Sequence, residues 1–411
     1  MYKYYYKIIR ANKYGIISNI SERIFFFIIF LMIARKYPVE IYGELITIFS
    51  LANIFIILFD FGLPIILQRE ISVSGIKSSG LLSNIFSINL AVFPVYFISS
   101  FMCCHFFFSS MPSGLLIVTI TIVYLFSLTN ILNKALSGLN DFKSQFKSLI
   151  VSRALILTIF LPAVHFFKIN LSELLLTLLA GSLIQIVFLL TQIKKQGLTL
   201  SPGEFNFEKI KFILKLSFPL GLAVVFNFLY DKIDIILISR LTDFNGAAFY
   251  NVGYGIFKTS TIAFSFLFLT GLTRISFISK NKHAVRLFFR KYSLVLFYIC
   301  IFLSFLLFFG AEPIINLIYT DKFTESVIIV KVLSFAITGL ALNNLTGVIL
   351  NGLGFFKMNM IVTLIGLIIN VILNLFFIPK YGIVAAAFVT ILTEYFIFLG
   401  DYYFIRKFYN S

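Results

Sequence analysis

Apolar residues run in long, uninterrupted stretches along this chain, and short polar connections separate the stretches. A run of about 18 or more apolar residues is long enough to cross the hydrocarbon layer of a membrane as a helix. The fold class predicted is therefore an all-α membrane protein. The pattern predicts twelve transmembrane helices, at 16–34, 44–66, 80–102, 114–132, 146–167, 172–193, 213–239, 247–271, 289–310, 327–351, 358–379 and 382–404.

Composition supports this class. Hydrophobic residues make up 60% of the chain and charged residues 12%, whereas soluble domains are roughly half apolar and a quarter charged. Such a chain has too few charges to cover a water-facing surface.

The excess of 34 Lys and Arg over 17 Asp and Glu does not predict a nucleic-acid partner, because the basic residues lie in short loops between the apolar runs. With a cytoplasmic N-terminus, the loops predicted inside carry 23 basic residues and those predicted outside carry six. Basic loops stay on the cytoplasmic side of a membrane. The sequence thus predicts a multi-pass protein of the bacterial inner membrane with both termini in the cytoplasm.

The chain also contains an internal repeat. LSGLNDFK at 136–143 matches LNGLGFFK at 350–357 in five of eight positions, after the fourth and the tenth predicted spans. Six spans separate the copies, so both halves have the same orientation, as in transporters built from parallel repeats. We predict an N-terminal six-helix lobe at 1–193, a cytoplasmic inter-lobe linker at 194–212 and a C-terminal six-helix lobe at 213–411.

Four segments carry a resemblance to a known family: ARKYPVEIYGELITIFSLANIFIILFDFGLPIILQREIS (34–72), FPLGLAVVFNFLYDKIDIILISRL (218–241), AEPIINLIYTDKFTESVIIVKVLSFAITGLALNNLTGVILNGLGFFK (311–357) and NLFFIPKYGIVAAAFVTILTE (374–394). They resemble the Wzx-type polysaccharide flippases, whose superfamily includes the multidrug and toxin extruders (MATE) and the lipid II flippase. The similarity runs over nearly the whole chain in order. One departure is Thr320, where relatives often have Gly.

The resemblance implies a MATE-like fold and a flippase that moves undecaprenyl-pyrophosphate-linked oligosaccharide repeat units to the periplasmic leaflet by alternating access. It implies a role in O-antigen or similar polysaccharide biosynthesis, with a polysaccharide polymerase and a chain-length regulator as candidate partners besides membrane lipids. The sugar is left open. No cofactor is expected.

Three cations inside predicted spans are candidate substrate-binding residues: Arg23, Arg153 and Lys258. Charges within spans are costly and indicate function by default. A pyrophosphate needs fixed cations to offset its lost hydration, and Arg adds bidentate geometry. We expect these side chains to face a water-filled cavity between the lobes. The alternative is internal pairing, most obviously of Arg23 with Glu22 or with an acid on a neighbouring helix.

Three acids are candidate ion-coupling residues: Asp231, Asp234 and Glu22. Asn227, Asp231 and Asp234 are spaced to share one face of a helix, and buried acids are the usual device for binding H⁺ or Na⁺ within a membrane. The alternative is a structural anchor in which Lys232 or another cation neutralises the acids.

Other function classes lack their motifs. The chain has no GxxxxGK[ST], HExxH or GxSxG motif, and its Cys and His residues show no metal-ligand spacing, so an ATPase, a metal site and an enzyme are not predicted. Two alternatives stay open: a cation-coupled exporter of small molecules in the same superfamily, and a polytopic membrane glycosyltransferase or acyltransferase.

Overall fold

The computed structural model describes residues 2–200, 207–261, 264 and 274–410, and within them all regular structure is helical. We number the α-helices in chain order. They are α1 (Tyr2–Lys36), α2 (Val39–Asp60), α3 (Leu63–Ser74), α4 (Ser79–Phe107), α5 (Ser113–Gly138), α6 (Phe142–Phe166), α7 (Leu171–Lys195), α8 (Phe207–Leu241), α9 (Phe244–Ser260), α10 (Lys282–Tyr319), α11 (Ser326–Ser334), α12 (Ala336–Gly352), α13 (Phe356–Tyr381) and α14 (Ile383–Asn410).

The predicted class, an all-α membrane protein, is confirmed. Within the described residues, nine helical stretches are long and apolar enough to cross a membrane, and α11 with α12 forms a tenth, bent by 51°. Helices suit this environment because they satisfy their backbone hydrogen bonds internally. The predicted spans 213–239 and 247–271 correspond to α8 and α9. Most of the second half of the predicted span 247–271 lies outside the described residues. Residues 201–206 of the predicted linker lie outside them as well.

Two predicted spans are broken. The span predicted at 44–66 ends at Asp60, because Phe61 and Gly62 take positive φ angles of 40° and 75° before α3 begins. The span predicted at 327–351 bends at Phe335, between α11 and α12. At that bend the Ser304 hydroxyl donates to the Ser334 carbonyl at 2.6 Å, which satisfies a backbone acceptor beside the break.

The repeat detected in sequence is visible in the backbone. Segment 136–143 joins α5 to α6, and segment 350–357 joins α12 to α13. The equivalent residues Asn140 and Gly354 both have positive φ, 59° and 84°. In both turns the next backbone N–H donates to the carbonyl five residues earlier, at 2.9 and 2.8 Å, as in a Schellman helix end. The two halves therefore use the same helix-ending turn.

The chain divides into two compact units. The first comprises Met1–Tyr37 and Leu51–Val225, and the second comprises Pro38–Ser50 and Phe226–Ser411. Helices α2 and α8 therefore each contribute to both units. The lobes predicted at 1–193 and 213–411 rest on the sequence repeat, whereas the two units rest on contacts. The division into two repeated lobes stays a prediction.

Segment Pro38–Ser50 is closely packed within the second unit. A Cβ on Gly43 would lie 1.8 Å from the carbonyl oxygen of Phe244, so only glycine permits this approach of α2 to α9. The buried hydroxyls of Thr47 and Ser239 are hydrogen-bonded at 2.6 Å. Small residues allow such close helix contacts inside membranes.

Thr320, the residue noted in sequence where relatives often have Gly, ends α10 with φ of 72° and ψ of 172°. This backbone region is almost exclusive to glycine, and a residue held there costs about 1–3 kcal/mol. The Thr320 hydroxyl oxygen is also buried without a hydrogen-bond partner among the described residues. The sequence departure therefore coincides with a strained position.

We expect Thr320→Gly to stabilise the protein by about 1 kcal/mol, after the entropic cost of glycine is subtracted from the released strain. The measurement is the thermal unfolding midpoint of the purified protein in detergent. Thr324→Gly is the matched control. Because Thr324 has an ordinary helical φ of −56°, this substitution should lower the stability of the protein. A lower midpoint for Thr320→Gly would contradict the expectation.

Candidate functional site

In the first unit, the predicted substrate residue Arg153 is buried on α6 and paired with an acid. Its Nη2 donates to Oε1 of Glu22 on α1 at 3.2 Å. The rings of Phe25, Phe26 and Phe126 lie 4.8, 5.3 and 5.8 Å from the guanidinium carbon. Nε and Nη1 are buried and make no hydrogen bond to described residues. Arg153 thus holds one carboxylate, and two of its nitrogens have no hydrogen-bond acceptor in the part of the chain that the structure describes.

Arg23 differs from Arg153 in its exposure. It is exposed, although it lies inside the apolar part of α1 between the exposed side chains of Ile20 and Phe27. It forms no ion pair with any residue that the structure describes. The pairing of Arg23 with Glu22 that sequence suggested is replaced by the pair between Glu22 and Arg153. That pair links α1 to α6 and fixes which face of α1 carries Arg23.

The first unit also buries an acid among neutral donors. The carboxylate of Asp60 accepts hydrogen bonds from Asn89 Nδ2 at 2.8 Å and from the Ser127 hydroxyl at 2.6 Å. The hydroxyl of Tyr124 donates to the backbone carbonyl of Asn89 at 3.3 Å. This network joins α2, α4 and α5.

In the second unit, Asp231 is neutralised by two lysines. Lys258 Nζ lies 2.8 Å from Oδ1 and Lys232 Nζ lies 3.2 Å from Oδ2. The Tyr254 hydroxyl also donates to Oδ1 at 2.9 Å. Lys258, predicted near the middle of a span, lies in the last turn of α9. This arrangement is the paired alternative considered for Asp231 from the sequence.

Asp234 lies one turn further along α8 in a different environment. It is buried, and its carboxylate accepts hydrogen bonds from the Tyr250 hydroxyl at 2.7 Å, Asn374 Nδ2 at 2.8 Å and the Thr390 hydroxyl at 3.2 Å. No cation pairs with it in the described part of the chain. Asn374 Nδ2 also donates to Asn370 Oδ1 at 3.1 Å, while Asn374 Oδ1 is buried without a described partner.

The two acids predicted to act together therefore belong to separate networks, one cationic and one neutral. Sequence reasoning missed the partners of Asp234. Two patterns in the sequence point to the helices that supply them. Asn370 and Asn374 are four residues apart in one apolar helix, and Thr390 and Glu394 are four residues apart in another. Residues at this spacing share a helix face, so each pair marks a polar stripe in an apolar helix.

A cavity of about 280 Å³ lies inside the second unit. Asp231, Lys258 and the fully buried Glu394 contribute its charged groups. Asn343 Nδ2 donates to Oε2 of Glu394 at 2.8 Å, and Oε1 of Glu394 is buried without a described partner. The remaining polar lining is dominated by five amides, those of Asn227, Asn343, Asn344, Asn351 and Asn359.

These geometries describe binding rather than catalysis. The first unit offers arginines, and the second offers an uncharged oxygen cluster and a polar cavity. No group of three or more His, Cys, Asp or Glu that could hold a metal ion occurs among the described residues. Charged and amide side chains buried within a polytopic helical fold are typical of membrane transporters.

Comparisons with known proteins define the family. Residues 12–272 match the family model described as polysaccharide biosynthesis protein. Because this match covers more than half of the chain, the protein belongs to that family. Residues 219–376 also match the MatE family model. These are transporter and flippase families rather than enzymes, and the predicted resemblance to Wzx-type flippases is confirmed.

Two solved structures have the same fold. An inward-facing multidrug resistance MATE family transporter of the MOP superfamily superposes with a TM-score of 0.77 at 12% identity, over 94% of each chain. The lipid II flippase MurJ in an inward closed conformation gives a TM-score of 0.76 at 18% identity, over 95% of this chain and 87% of that one. The MATE-like fold is confirmed.

Two curated relatives come from Methanocaldococcus jannaschii. The uncharacterized membrane protein MJ1375 is 28% identical over 199 residues, 48% of this chain and 45% of that protein. The uncharacterized membrane protein MJ1068 is 30% identical over 105 residues, 26% of this chain and 21% of that protein. The matched stretches thus span less than half of each relative.

Proposed function

We propose that this protein is a flippase that moves undecaprenyl-pyrophosphate-linked oligosaccharide repeat units from the cytoplasmic to the periplasmic leaflet by alternating access. It would act in the bacterial inner membrane with both termini in the cytoplasm and supply O-antigen or a similar surface polysaccharide. A polysaccharide polymerase and a chain-length regulator are its candidate partners. The observation that carries the proposal is Arg23, an exposed cation within an apolar span of a polysaccharide biosynthesis family member.

An exposed arginine within a span needs water or an anionic ligand, because hydrocarbon cannot solvate it. Guanidinium groups bind phosphate oxygens through paired N–H donors. Arg153 supports Arg23 in this role, because through Glu22 it fixes the rotation of α1. Lys258 is a weaker candidate because Asp231 neutralises it at 2.8 Å.

Of the three acids predicted to couple transport to an ion gradient, Asp234 has the most suitable surroundings. Asp231 and Glu22 are each paired with cations, whereas the described hydrogen-bond donors to Asp234 are neutral. Carboxylate, amide and hydroxyl oxygens are the ligands preferred by hard cations, and an H⁺ would simply occupy the carboxylate. Asp234, Asn370, Asn374 and Thr390 would hold the ion, and the unpartnered Oδ1 of Asn374 is an additional oxygen in the cluster.

The test is translocation by the purified full-length protein in proteoliposomes containing a fluorescent undecaprenyl-pyrophosphate oligosaccharide. We expect the lipid to become accessible on the opposite leaflet in a protein-dependent manner. A parallel assay follows efflux of a small cationic drug from the same vesicles. Drug efflux without lipid translocation would overturn the proposal in favour of an exporter. Restored surface glycan in a flippase-null strain gives a second readout.

A further inference from the structure

The cavity in the second unit has a lining unlike that of a phosphate site. Two acids, Asp231 and Glu394, and one cation, Lys258, contribute charge among the lining residues that the structure describes. Lys258 and Lys232 both pair with Asp231, at 2.8 and 3.2 Å. The cavity therefore does not offer the free cations that bind a pyrophosphate, and it suits a different part of the substrate.

The chemistry of the lining matches sugar hydroxyls. Asn343, Asn344 and Asn359 each donate one hydrogen bond within the unit, to Glu394, the Leu340 carbonyl and Asn351 Oδ1. A side-chain amide has two N–H donors and two carbonyl lone pairs, so capacity remains for a hydroxyl, which can both donate and accept. Glu394 adds a buried carboxylate oxygen, Oε1, that accepts no hydrogen bond from any described residue. An unsatisfied buried acceptor costs free energy until a donor reaches it, and a sugar hydroxyl would supply that donor.

Size and position fit the same ligand. The volume of about 280 Å³ lies near the lower end of small-molecule sites, roughly 300–1,000 Å³, which suits a sugar ring rather than a long glycan. The lining reaches Asn351 and Asn359, on either side of the turn between α12 and α13. Charge distribution predicts that this turn is cytoplasmic, the side from which the substrate is loaded.

We infer that this cavity is a sugar-binding subsite of the flippase, which takes one neutral sugar residue of the lipid-linked glycan. The inference rests on the proposed function, because it assigns the sugar of the flippase substrate to a cavity within the second unit. It also makes the second unit a determinant of specificity: an acidic sugar would meet Glu394 and bind less well than a neutral one.

Gly347 allows a steric test of this subsite. It lines the cavity, and a Cβ built on it would lie 3.5 Å from Asn359 Nδ2, an ordinary van der Waals contact. Gly347→Ala should therefore be tolerated, whereas Gly347→Leu should fill the cavity. Glu394→Gln is a second variant of nearly unchanged shape that replaces one carboxylate oxygen by an NH₂ group.

The experiment measures binding of lipids to the full-length protein in nanodiscs. The probes are undecaprenyl pyrophosphate alone and the same lipid carrying a neutral hexose, an N-acetylhexosamine or a hexuronic acid. At least one neutral sugar should tighten binding about tenfold over the bare lipid, as two or three net hydrogen bonds provide, and the uronic acid should gain less. Gly347→Leu and Glu394→Gln should reduce this gain and leave bare-lipid binding unchanged, while Gly347→Ala retains it.

The outcomes separate the two levels of the argument. If the bare lipid binds but no sugar improves binding, or the gain persists in both Gly347→Leu and Glu394→Gln, the subsite is overturned and the proposed function stands. If no lipid binds to the wild-type protein, the proposed function falls and the subsite with it. If Gly347→Leu fails to fold, as judged by size-exclusion chromatography, the gain in binding measured with Glu394→Gln decides whether the subsite exists.

Discussion

Asp234→Asn is expected to abolish stimulation of lipid translocation by an imposed H⁺ or Na⁺ gradient while leaving slow downhill flipping. The substitution keeps the size of the side chain and removes the charge that an ion would neutralise. In the wild-type protein this carboxylate lies among hydroxyl and amide groups with no cation beside it in the described chain. The measurement is translocation rate in proteoliposomes with and without each gradient.

Two threonines on α14 provide a matched control for that prediction. Thr390 donates to Asp234 at 3.2 Å, whereas Thr393 is hydrogen-bonded to the Tyr230 hydroxyl at 2.9 Å. Both are buried. Thr390→Val should weaken gradient stimulation, and Thr393→Val should not. Full stimulation in Asp234→Asn would show that coupling does not depend on this cluster.

Arg23→Ala is expected to reduce glycan export about thirtyfold or more, the cost of removing one partner from a desolvated charge pair. Arg23→Lys should restore only part of the activity, because an ammonium replaces the guanidinium fork. Surface glycan in a complemented flippase-null strain is the readout, and membrane insertion is checked by immunoblot. Lys13→Ala, which removes an exposed cation near the start of the same helix, should leave export unchanged.

The pair between Glu22 and Arg153 separates binding from positioning. Arg153→Met alone leaves the Glu22 carboxylate without its partner at 3.2 Å. Combining it with Glu22→Gln removes both charges and should recover stability. If the double variant exports glycan as well as the wild type, export does not require a contact between Arg153 and the substrate.

Normal export by Arg23→Ala would contradict the assignment of Arg23 to the substrate phosphate.

Much of the fold could be predicted because the membrane imposes strong constraints on sequence. Most predicted spans correspond to one described helix, those at 44–66 and 327–351 are each divided between two helices, and the span at 247–271 is described only in part. The matched segments at 136–143 and 350–357 form matching turns. Helix breaks were harder to predict. Phe61 takes a positive φ without being glycine, because neighbouring packing rather than local propensity determines the conformation there.

The charged residues of the candidate site could be predicted from the sequence, but the residues with which they pair could not. An intramembrane charge is visible in sequence, since apolar residues surround it. Its partner depends on helix rotation and on contacts between distant segments, as for Arg153 with Glu22, 131 residues apart. Asp231 and Asp234 share a helix yet have different neighbours, because α9 contributes lysine to one and α13 contributes asparagine to the other.

The assignment of Pro38–Ser50 to the second unit has a consequence for biogenesis. A chain is synthesised from its N-terminus, and Thr47 precedes its hydrogen-bond partner Ser239 by 192 residues. At about 5–20 residues per second, the first half of α2 is made roughly 10 to 40 seconds before that partner emerges. During this interval the insertion machinery must shelter its polar groups. We therefore expect a fragment that ends after the sixth span not to mature, since half of one of its own helices belongs to a unit whose other residues are translated later.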